Sequence, residues 1–115
     1  MRDIYQMLRT RGWHITRAWA EDVTGIDDED NLAAEAARVV GAIAAADVLL
    51  VLVKNPEYAY RGLTYEVGVA ICLGVRIVLA TALPSTCYTM ENMALAHPSI
   101  ARVDTLHAAL EALED

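Results

Sequence analysis

The chain is 115 residues long, 56% apolar, with a formal charge of −7 and a sequence pI near 4.8; that length predicts a single domain, 1–115, with an apolar core. Its nine Lys and Arg are scattered, which argues against the basic footprint that a nucleic acid polymer requires and leaves a small anionic ligand open, held by local backbone N–H groups. No apolar run approaches the ~20 residues of a membrane span, no targeting segment opens the chain, and two isolated thiols, Cys72 and Cys87, fit a reduced cytoplasm; no membrane partner is expected.

Residues 1–11 read as a short helix with Ile4, Met7 and Leu8 on one face and Gly12 as its stop. Residues 13–19, WHITRAW, alternate and are rich in β-formers, so a strand is predicted there. An acidic loop follows, and Asp27 to Asp30 are placed to cap a helix from Asn31 to Ala46. Leu32, Ala36, Val39, Val40 and Ile43 form its apolar stripe. Val48 to Val53 is an unbroken apolar run, the pattern of a parallel strand covered on both faces. Burying each such residue stabilises by roughly 1.5–3 kcal/mol, which predicts an interior strand rather than an edge.

A second helix is predicted from about Leu63 to Leu73, stopped by Gly74 in a left-handed cap. Gly62 then opens it, and Glu66 falls in its first turn. Cys72 reads as a small buried hydrophobe, and Gly68 as the position that lets the helix lie close to a sheet. Val75 to Ala80 is a further short strand. Beyond it come an irregular stretch, a short helix near 90–96, and a last helix, Leu106 to Leu113, capped by Asp104 or Thr105. Alternating strands and helices make an α/β protein with a mostly parallel sheet. In open parallel sheets ligands bind beyond the carboxyl ends of strands, and Glu66 falls there.

The segments AADVLLVLV and GLTYEVGVAICLGVRIVLA resemble the nucleoside 2-deoxyribosyltransferase-like superfamily. The shared pattern is Ala46-Asp47-Val48, then Gly62, then Glu66-Val67-Gly68-Val69-Ala70, then Leu73-Gly74-Val75. LRTRGWHITRAW upstream and ENMALAHPSIARVDTLHAALEAL downstream are similar to the family's flanks, so the likeness covers nearly the whole chain. It implies a small three-layer, flavodoxin/Rossmann-like fold. It also implies cleavage or transfer at the N-glycosidic bond of a nucleoside or nucleotide, without cofactor or metal. Two departures stand out. The usual first strand is lacking, and Val39 stands where the pattern carries an aspartate.

Cleaving an N-glycosidic bond develops positive charge on the sugar carbon, which a carboxylate can stabilise or attack. The resemblance assigns that role to Glu66. Glu57, past the carboxyl end of strand 48–53, and Glu21 and Asp22, which follow the 13–19 strand, are all better placed as a second acid than Asp47, which lies at the wrong end of its strand. Trp19, Tyr58, Tyr60 and Tyr65 offer faces for stacking on a base or walling off a sugar. Gly62 permits close backbone approach, Thr64 offers a hydroxyl to a sugar or phosphate, and Arg61 a cation. Asn92 is carried over from the family's segment that completes a neighbouring subunit's site. His14, His97 and His107 are dispersed without metal-ligand spacing. A homo-oligomer is expected, because a sheet lacking a strand exposes an edge. The alternative function is a catalytically lapsed nucleotide-binding or oligomeric interaction module of the same fold.

Overall fold

A computed structural model describes residues 2–15, 29–54, 61–84 and 93–114. The chain divides into two compact units, Met1–Ala45 and Ala46–Asp115.

The first unit contains helices α1 (Arg2–Thr10) and α2 (Glu29–Ala44). Leu8 of α1 is buried, with Ile4 and Met7 half-buried, as the apolar spacing predicts. The helix ends in a Schellman motif: the Trp13 N–H bonds the Leu8 carbonyl at 3.0 Å and the Gly12 N–H bonds that of Arg9 at 3.0 Å. This requires a left-handed residue, and Gly12 has φ +91°. The predicted strand 13–19 is corrected in its described part. Trp13 to Ile15 leave the motif as irregular chain, because Trp13 is spent closing the helix rather than pairing in a sheet. Residues 16–19 lie outside the described residues.

The predicted stripe of α2 is narrower than expected. Val39 and Ile43 are buried, but Ala36 and Val40 are exposed. The third member of the row is Glu35, one turn ahead of Val39 and itself buried. Its Oε2 accepts hydrogen bonds from Arg38 Nη2 at 3.0 Å and Nε at 3.3 Å.

The second unit runs β1 (Val48–Leu52), α3 (Arg61–Leu73), β2 (Arg76–Ala80), a 3₁₀ turn (Met93–Ala96), β3 (Ile100–Val103) and α4 (Leu106–Glu114). Among the described residues the fold is α/β with a three-stranded, all-parallel open sheet, ordered β1-β2-β3. Leu50 pairs with Val78, and Val78 with Ala101. Among the described residues the interior strand is therefore β2, with β1 and β3 on either side of it. Ile77 through Ala80 are all buried, whereas four of the five β1 residues are only half-buried, Val51 being the exception. Both strands are uniformly apolar, and non-local pairing decides which lies inside.

Val78 and Ala80 share a face with Val48, Leu50, Leu52 and Val103, and α4 covers it with Ala109 and Leu113. Helix α3 packs against β1, β2 and the 3₁₀ turn, with Val67 and Ala70 fully buried. Thr105 caps α4: its Oγ1 accepts the Ala108 N–H at 3.0 Å, the N-cap geometry expected for this residue. No described helix is long and apolar enough to cross a membrane.

Candidate functional site

Helix α3 follows β1 and precedes β2, so its amino end lies at the carboxyl end of the parallel sheet. It begins at Arg61, earlier than the sequence predicts, because Gly62 is taken into the helix instead of preceding it. Glu66 is consequently the sixth helical residue and lies in the second turn; the first turn contains no acid. At about 1.5 Å per residue it sits about 7.5 Å along the axis. The positive field of a helix terminus fades within one turn, so the stabilisation expected for a first-turn carboxylate does not apply.

Glu66 still falls in the half of α3 nearer the carboxyl end of the sheet. At about 100° per residue, Glu66 borders the buried stripe of Val67 and Ala70 and is itself half-buried. Helical Cα–Cβ bonds tilt toward the amino end, which for α3 is the carboxyl end of the sheet, the end where open parallel sheets in general take ligands. Thr64 is exposed near the same end. Tyr65 is 45% exposed, so it is not a core aromatic, and its helical position lies opposite the stripe.

Two further expectations for α3 are corrected. Cys72 is exposed, not buried. A Cβ built on Gly68 meets nothing within 4 Å, so that glycine is not needed for close packing. The expected stop holds: Gly74 has φ +73°, and the Val75 and Gly74 N–H groups bond the carbonyls of Ala70 at 3.0 Å and Ile71 at 3.3 Å.

Of the other candidates, Trp19, Glu57, Tyr58, Tyr60 and Asn92 lie outside the described residues, as do Glu21 and Asp22. Asp47 is exposed just before β1, at the amino end, where the sequence argument puts it. No group of three or more His, Cys, Asp or Glu among the described residues is placed to hold a metal ion. His97 sits in the turn before β3, its Nδ1 2.8 Å from Ser99 Oγ and accepting the Ser99 N–H at 3.1 Å.

Sequence reasoning missed the polar cluster that closes the carboxyl end of the sheet. Thr81, directly after β2, is 3% exposed. Its Oγ1 donates to the Val53 carbonyl at 2.8 Å and accepts the Leu83 N–H at 3.1 Å. Its own N–H bonds the Val103 carbonyl at 3.0 Å. Arg102, on β3, donates from Nη2 to the Leu83 carbonyl. The available signal was a single hydroxyl at the end of an apolar run, in a strand position that otherwise calls for Val or Ile.

No family model, no curated protein and no solved structure matches this chain.

Proposed function

We propose that this chain cleaves or transfers at the N-glycosidic bond of a nucleoside or nucleotide, with Glu66 as nucleophile. One observation carries the reading: a half-buried carboxylate on the helix that crosses from β1 to β2, tilted toward the end of the sheet where such folds take ligands. The Glu66-Val67-Gly68-Val69-Ala70 pattern, followed by Leu73-Gly74-Val75, gives that carboxylate its chemistry by resemblance. A Glu66 oxygen bonds to the anomeric carbon as the C–N bond breaks. The base leaves with the electron pair and takes a proton from a second acid, for which Glu57 stands first. Water or another base then displaces the glycosyl group from Glu66, giving hydrolysis or transfer. The step uses no cofactor and no metal.

The same reading makes the second unit three-layered and flavodoxin/Rossmann-like. It is supported by α3 packing with the 3₁₀ turn while α4 covers the face of Val78 and Ala80; crossovers of the usual right hand would put the first two on the opposite face, that of Ile77 and Leu79.

A second reading, a catalytically lapsed nucleotide-binding or interaction module, draws on two observations. Val39, where the family pattern has an acid, is a buried core residue. The outer side of α3 exposes Tyr65, Cys72 and Leu73, the last at 49%, which also supports a homo-oligomer.

Incubation with deoxynucleosides and their monophosphates, followed by chromatography of free base, tests the first reading against the second. Base release that falls by about 10³-fold or more in a folded Glu66→Gln variant supports catalysis. Saturable binding without release supports the lapsed module. A wild-type protein that releases no base from any of these compounds sinks the enzymatic reading.

A further inference from the structure

The carboxyl end of a parallel sheet is where neighbouring strands part, and their last carbonyls lose ladder partners there. In this sheet the final β1–β2 pair is Leu52 with Ala80, and the Val53 N–H still bonds the Ala80 carbonyl at 3.4 Å. A continued ladder would next bring the Ala82 N–H to the Val53 carbonyl. Thr81 Oγ1 takes that acceptor instead, at 2.8 Å, and frees the chain after β2 to turn out of the sheet. The same oxygen then accepts the Leu83 N–H, so the turn it permits is also held by it. The carbonyl of Leu83 is held in turn by Arg102. Through its backbone N–H, Thr81 further ties β2 to Val103 at the end of β3. One buried residue thus fixes where the chain leaves all three strands. Glu66 is carried by α3, which packs on β1, β2 and the 3₁₀ turn.

We propose that Thr81 is a positioning residue of the ligand site: its hydroxyl on the Leu83 N–H, with Arg102 on the Leu83 carbonyl, sets the backbone that receives the sugar or phosphate of a bound nucleoside or nucleotide. This rests on the glycosyl-transfer reading and deepens it. Because this clip shapes the receiving backbone rather than the nucleophile, its loss acts on ligand affinity more than on the chemical step.

The test compares Thr81→Val, which keeps the shape and removes the oxygen, with Thr81→Ser, which keeps the oxygen. Arg102→Gln is the third variant; it alters an exposed side chain and loosens Leu83 without touching the core. KM and kcat for base release from a deoxynucleoside monophosphate are measured beside the thermal midpoint. Thr81→Val is expected to raise KM about tenfold with kcat within about threefold, Thr81→Ser to restore KM, and Arg102→Gln to raise KM about threefold at an unchanged midpoint. A folded Thr81→Val protein with wild-type KM overturns the assignment, as does a wild-type KM in Arg102→Gln should Thr81→Val fail to fold. Active wild-type protein with unaffected variants removes this role alone. Wild-type protein that neither releases base nor binds the nucleotide in calorimetry removes the glycosyl-transfer reading and this role with it.

Discussion

Replacing Leu79 by Ala and, separately, Leu49 by Ala asks which strand carries the core of the second unit. The register pairs Leu49 with Ile77 and Val51 with Leu79, so alternation puts both leucines on the same face of adjacent strands. Leu79 is 1% exposed on the interior strand, while Leu49 is half-buried on an outer one. At ~0.8 kcal/mol per buried CH₂, truncating a fully buried leucine costs ~2.4 kcal/mol in transfer free energy. The cavity left in a rigid core raises this to about 3–4 kcal/mol. At Leu49 water already covers part of the side chain and fills part of the gap, which brings the cost to about 1–1.5 kcal/mol. The expected difference is about 2 kcal/mol. With a urea m-value of about 1.5 kcal/mol/M, Leu79→Ala should unfold about 1.3 M earlier than Leu49→Ala, followed by far-ultraviolet circular dichroism. Equal midpoints, or an earlier one for Leu49→Ala, would mean that β1 is covered as deeply as β2 and refute the burial difference between the two strands.

The glycines of α3 should respond in opposite directions. Gly68→Ala, in a helix interior where the new methyl meets nothing within 4 Å, should stabilise by about 0.5–1 kcal/mol in chemical denaturation, and a loss there would mean that the helix needs the bare backbone after all. Gly74→Ala, at φ +73°, should destabilise by about 1 kcal/mol by the same measurement. Thr105→Ala removes the acceptor for the Ala108 N–H and should cost about 1 kcal/mol, whereas Thr105→Ser should cost a few tenths. If the exposed side of α3 joins subunits, Leu73→Glu should convert the assembly to monomer in light scattering while leaving the circular dichroism spectrum unchanged; a wild-type monomer, or a variant of unchanged mass, counts against that interface.

What was legible in the sequence was local. Gly12 and Gly74 end their helices because a left-handed residue is a property of one position, and Thr105 caps because a hydroxyl two or three residues from a free N–H needs no distant partner. The β1–α3–β2 unit followed from the switch between continuous apolar runs and a glycine-ended helix. Pairing order was not legible, because VLLVL and RIVLA are equally apolar and only their neighbours in space separate them. Strand β3, IARV, was missed altogether: it is four residues long, carries Arg102, and its two middle residues are exposed. The start of α3 was misjudged because Arg61-Gly62 offers no capping side chain, and a glycine there reads as a breaker. Helix α3 is apolar nearly all round between Leu63 and Leu73, so nothing in its pattern told Cys72 from Val67.

The same division runs through the candidate site. Glu66 was visible because it is an isolated acid in an apolar helix, and a charge among Val, Ala and Leu invites a question. Thr81 was not, since a threonine at the end of a strand is an ordinary β-former until its partner is known, and that partner lies 28 residues away. Outside that site, in the first unit, Glu35 was hidden for the opposite reason: an acid in an alanine-rich helix reads as a solvated face, although its spacing of four from Val39 and eight from Ile43 puts it in their row. Polar groups that act through their own charge announce themselves in sequence, and polar groups that act by closing a backbone do so only in space. On the proposed reading the site is built at parting strand ends, so Thr81 and Arg102 are tested through KM and Glu66 through base release.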